Sequence, residues 1–132
     1  MLFDTSYSDK RITRQINEAV GLPFSFMDRI KMGGIGSRRM VIEAISEEYQ
    51  KYLKAEHYQS HANLELRPKG LIVHFRHKLE SYSWIMPYDS LEVETKLSLR
   101  LSSDGKFISF AQDLDQGFIG KLQKAFSAHT SS

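Results

Sequence analysis

The residues best able to do chemistry fall into a few short groups. Gly33-Gly34-Ile35-Gly36-Ser37-Arg38-Arg39 joins three glycines to a hydroxyl and two arginines. With a helix starting at Ser37, backbone N–H groups at Gly34 and Gly36, together with Ser37, Arg38 and Arg39, form a candidate anion site. The Gly-Lys-Ser/Thr ending of a nucleotide-binding phosphate loop is missing, and no strand pattern precedes the glycines. A flexible link with Ser37 as a helix cap explains the same residues more simply.

His57 and His61 are four apart, and His74 and His77 follow on a strand pattern. Two histidines on one helical face can hold a metal, but Gln59, Ser60 and Ala62 read as the end of a helix. Three apart on a strand, His74 and His77 point to opposite faces. No metal and no cofactor are therefore expected. Lys69, Arg76 and Lys78 read as the charged, solvated edge of a sheet. Asp113 with Asp115, and Glu92 with Glu94, read as surface charges. No serine is flanked by nucleophile-elbow glycines, and no acid–base constellation can be traced, so an enzyme is the least expected class.

Tyr82, Trp84 and Met86 share one face of a strand pattern, opposite Ser81, Ser83 and Ile85. If their face is the core they are packing. If not, they form an aromatic contact surface. Packing is the favoured reading.

The elements that position these groups change texture along the chain. Ile12, Ile16, Ala19 and Val20 repeat on one helical face, Ser8 or Asp9 can cap it, and Gly21 with Pro23 stops it, which predicts a helix over 9–20. Leu22, Phe24, Phe26, Met27, Ile30 and Met32 predict a short helical turn or an apolar loop on the core. Val41, Ile45, Tyr49 and Tyr52 or Leu53 recur at three- and four-residue spacing and predict a helix over 37–56.

From residue 63 the period becomes two. Strand patterns run through Leu64–Leu66, Leu71–Phe75, Leu79–Met86, Leu91–Val93, Leu97–Leu101 and Phe107–Phe110, with turns at Arg67-Pro68-Lys69-Gly70 and Ser103-Asp104-Gly105-Lys106. Phe118, Ile119, Leu122, Ala125 and Phe126 form the stripe of a closing amphipathic helix, with Asp113 and Gln116 spaced as a capping box. The expected fold is α+β within a single domain, 1–132. A helical segment, 1–62, precedes a curled antiparallel sheet of about five or six strands, 63–132, covered on one face by helices.

Composition narrows the classes. The chain has 132 residues, 26% charged, with fifteen aromatics, which suits a globular fold and not a disordered one. It has no cysteine, so disulfides, thiol catalysis and cysteine-held zinc or iron–sulfur centres are excluded. A net charge of +2 is too even for a protein that lives on a polyphosphate surface, so no nucleic acid is expected. It divides into a basic segment, 1–39, and an acidic one, 83–115. No apolar run reaches membrane-spanning length and no secretory pattern opens the chain, so the expected location is cytoplasmic.

Residues 63–126 carry a further pattern: Glu65-Leu66-Arg67-Pro68-Lys69-Gly70-Leu71-Ile72, then Trp84-Ile85-Met86-Pro87-Tyr88-Asp89-Ser90-Leu91, a leucine-rich hairpin and the final helix. It resembles the small pleckstrin-homology-like domains of bacterial proteins, in which a strand runs into an I-P-(Y/W)-x-x-(I/L) corner and a helix closes the sheet. A full barrel of that family has seven strands, one more than can be counted here, and its bacterial relatives often carry membrane helices upstream. The resemblance implies a partial barrel that binds or scaffolds, and no ligand is carried over from it. The expected function is a non-enzymatic interaction domain whose partner is another protein or a second copy of the chain. The alternative is a small-ligand or anion binder, for phosphate or a lipid headgroup.

Overall fold

The computed structural model describes residues 1–52, 60–96, 98–111 and 115–130. Strand β1 (Leu2–Asp4) leads to helix α1 (Lys10–Val20) and helix α2 (Phe26–Met32). Strands β2 (Met40–Ile45), β3 (His61–Arg67), β4 (Gly70–His77) and β5 (Glu80–Pro87) follow, then β6 (Leu91–Glu94), β7 (Arg100–Ser103), β8 (Lys106–Phe110) and helix α3 (Gln116–Thr130). Two 3₁₀ turns, Glu47–Tyr52 and Tyr88–Ser90, lie between strands.

The fold is α+β, and its antiparallel sheet has eight strands among the described residues, in the order β1-β5-β4-β3-β2-β8-β7-β6. The expected five or six omitted β1 and β2. The sheet is open, with β1 and β6 at its edges. No helix among the described residues is long and apolar enough to cross a membrane.

Alternation along the strands builds two cores. Leu64 and Leu66 of β3, Leu71, Val73 and Phe75 of β4, and Tyr82, Trp84 and Met86 of β5 face one side. There they meet Leu101, Ile108 and Phe110 of the other half-sheet and Phe118, Ile119 and Leu122 of α3. On the opposite face Ile72 and Ile85, paired across β4 and β5, meet Ile16 and Val20 of α1. Helices therefore cover both faces, not one. Strands β4 and β5 are buried on both sides, which explains the unbroken apolar run Leu71-Ile72-Val73.

Helix α1 forms as expected, with the Asp9 carboxylate accepting from the N–H groups of Arg11 and Ile12. The β7–β8 hairpin turns on Asp104 and Gly105, both at positive φ (52° and 80°), the geometry that Asp-Gly favours. At Gly70 the need is space: an added Cβ would lie 2.5 Å from Val20 Cγ1 and 2.7 Å from Met86 O.

The helix expected over 37–56 does not form among the described residues, and the stretch 1–62 is not purely helical. Residues 40–45 are strand β2, and 47–52 are a 3₁₀ turn. The register of β2 against β8 shifts between Ile42 and Ala44. That bulge turns both Ile42 and Ile45 inward, so a strand shows the three-residue spacing of a helix. The remainder of that expectation, 53–56, lies outside the described residues, as do Leu97 and the Asp113 half of the capping box. Helix α3 is instead preceded by Asp115, whose Oδ1 accepts from Phe118 N–H at 3.1 Å.

Candidate functional site

Two surfaces carry groups beyond what packing requires. The first is α2. Ser25 caps it, its Oγ accepting from Asp28 N–H at 3.2 Å, and Gly33 ends it in the left-handed conformation at φ 71°. Phe24 and Met32 pack against the main core. Phe26, Met27 and Ile30, spaced to share one side of the helix, are 75%, 61% and 58% exposed, and nearby Leu22 is 68% exposed. Only part of this apolar stretch is core, as the expectation of a packed segment had it. The helix is clasped from behind, where Lys121 Nζ donates to the carbonyls of Gly33 (2.8 Å) and Gly34 (3.2 Å).

The second surface is the outer face of the sheet beside α1, where a chain of polar groups crosses three strands. Arg67 Nη1 donates to Gly21 O (2.8 Å) and Asn17 Oδ1 (3.0 Å), and Arg67 Nε donates to Glu65 Oε2 at 2.6 Å. Glu65 Oε1 lies 2.9 Å from His74 Nε2, and His74 Nδ1 lies 3.0 Å from Ser83 Oγ. Ser83 Oγ in turn lies 3.0 Å from Thr5 Oγ1. Burial pushes the Glu65 carboxyl up, but hydrogen bonds from His74 and Arg67 outweigh it and bring the pKa down to about 2.

A serine, a histidine and a carboxylate in line have the composition of a nucleophilic relay. Here the hydroxyl is closed off: Ser83 is 2% exposed and Thr5 covers it. The arrangement joins α1, three strands and Thr5, the residue that follows β1. Alternation in the sequence puts Glu65, His74 and Ser83 on outward positions, but only the register Asn63↔His74↔Ser83 brings them side by side.

The structure rearranges the other candidates. No helix starts at Ser37. Ile35 to Ser37 runs beside β3, with Leu66 N–H donating to Ile35 O, Gly36 bridging Glu65 and Ser37 N–H donating to Leu64 O. Ser37 Oγ accepts from Leu64 N–H and donates to Arg38 O, both at 2.8 Å. Arg38 N–H donates to Asp115 Oδ2 at 3.0 Å. The Ser37 and Arg38 N–H groups that an anion would need are thus taken by the protein. The helix start on which the nest of Gly34, Gly36, Ser37, Arg38 and Arg39 was expected is replaced by this strand extension. Arg39 lines a cleft on the sheet's outer face.

Tyr82, Trp84 and Met86 are 9%, 1% and 0% exposed, so they are core and not a contact surface. Tyr49 meets Trp84 edge-on with ring centroids 4.8 Å apart, and Tyr52 lies 4.6 Å from Tyr82. Arg76 sits on β4, an interior strand, so the sheet-edge reading of Lys69, Arg76 and Lys78 is replaced; Lys69 and Lys78 occupy turns at opposite ends of β4. His57 lies outside the described residues, and no cluster among the described residues could hold a metal ion. No known family model matches the chain, and no curated protein or solved structure is significantly similar to it.

Proposed function

We propose that the chain is a non-enzymatic interaction module on a pleckstrin-homology-like frame, and that it docks a protein partner through the outer face of α2. The observation that carries this reading is the exposure of Phe26, Met27 and Ile30 on one side of an anchored helix. Burying such a side chain stabilises by about 1.5–3 kcal/mol each, and here that gain is left to a partner. The frame is supported by the seven strands β2 to β8 followed by a helix. Catalysis is disfavoured by the covered Ser83 hydroxyl.

The test compares the wild type with a Phe26→Ser, Ile30→Ser double variant in sedimentation and in capture from native extract. The wild type self-associates or retains a partner, and the variant does neither while keeping its melting temperature. A strictly monomeric wild type that captures nothing above background overturns the reading.

A further inference from the structure

A cleft of about 500 Å³ opens on the outer face of the sheet, where β2 begins beside β3 and β4. Among the described residues it is lined by Arg39, His61, Asn63, His74, Arg76 and Lys78, with Ala62 and Phe75. Three of these carry permanent positive charge, and none is a carboxylate. The side chains of Arg39, Arg76 and Lys78 make no ion pair or hydrogen bond with any described residue. Three like charges around one cleft repel one another in the free protein, and a bound anion relieves that repulsion.

The walls narrow the ligand further. His74 has both ring nitrogens engaged, by Ser83 and Glu65, so its ring is held as a fixed wall. His61 Nδ1 is buried with no hydrogen-bond partner, which leaves a further polar atom unsatisfied at this place. Phe75 and Ala62 are 4% and 2% exposed and turn their side chains into the main core. The cleft therefore offers donors and charge, with no exposed phenylalanine, tyrosine or tryptophan ring in its walls. Its volume exceeds what a single phosphate fills.

We propose that this cleft binds a small, multiply charged phosphate compound, a short polyphosphate, through Arg39, Arg76 and Lys78. The two arginines supply the forked donors that phosphate oxygens fit. The site lies on the outer face of the sheet and stands independently of the α2 reading.

Tripolyphosphate serves as the probe, titrated calorimetrically into the whole chain at low salt. Binding is expected for the wild type and for Lys124→Gln, an exposed change on α3. Arg39→Gln and Arg76→Gln are each expected to weaken it by about ten-fold or more. Both arginines are exposed, so the melting temperatures of these variants should match the wild type. A second arm measures co-sedimentation with phosphatidylcholine vesicles carrying phosphatidic acid. Vesicle binding that Arg39→Gln and Arg76→Gln abolish also supports the cleft, with the phosphate then carried by a membrane. No binding to either probe, or equal affinity in wild type and the arginine variants, overturns the proposal.

Discussion

Glu65 is the residue on which the outer-face chain depends, and its protonation has a definite stability sign. Its folded pKa, about 2, lies below the ordinary 4.5. The stability it contributes is therefore complete above pH 4.5 and is lost as pH falls from there toward 2. Chemical unfolding across that window should show wild type and Glu65→Gln converging, with the wild type losing on the order of 2–3 kcal/mol more. A constant gap would mean that the carboxylate contributes nothing through its charge. Gly70 gives a second residue-level outcome. A methyl group there meets Val20 Cγ1 at 2.5 Å, and it meets backbone at Met86 O. Gly70→Ala should lower unfolding free energy by about 1–3 kcal/mol, measured by urea titration. The sequence marked Gly70 as the end of a turn, but nothing in it announces that α1 presses on that turn. That contact joins residues distant in the chain, as do the partners of Glu65.

Among the elements, the most legible were those with one unbroken period and a clear end. Helix α1 and strands β4, β5 and β8 follow their patterns, because each keeps one period and is bounded by a cap or turn of fixed chemistry, whereas β7 starts at Arg100, later than its leucine pattern. Strand β2 was misread because its bulge mixes the two periods. Tyr49 and Tyr52 belong to a genuine but short 3₁₀ turn, whose rings cap Trp84 and Tyr82. Helix α2 was legible as apolar, but not as half-exposed, since exposure depends on what else covers the site. Its position relies on the Lys121 clasp. Lys121→Ala should leave the global melting temperature within about 2 °C, since exposed hydrogen bonds contribute little. It should also speed hydrogen exchange locally, between residues 26 and 36 and not in β4. Unchanged exchange there would mean that Phe24 and Met32 alone hold the helix.

Across the whole molecule, the sheet is assembled from distant parts. Strand β2 pairs with β3 on one side and with β8 on the other, and β1 pairs with β5. The two half-sheets share a core only once Ile42 has met Phe110, a contact between chain segments far apart. Such non-local pairing predicts refolding in milliseconds to seconds, measurable by stopped-flow fluorescence. Microsecond refolding would contradict this topology as the rate-setting feature. At this scale the antiparallel α+β class was legible from the run of strand patterns. The order of strands was not, since a strand's pattern does not name its neighbours.

Trp84 is the chain's one tryptophan, and it is 1% exposed, facing the main core while the basic cleft opens through the other side of the same sheet. The protein thus has a single tryptophan fluorophore, shielded from water, from any quencher in solution and from a ligand in the cleft. Its emission should remain blue and unquenched by iodide until the fold opens. A phosphate compound added to the sample should shift the temperature of that change while leaving the colour of the folded protein untouched.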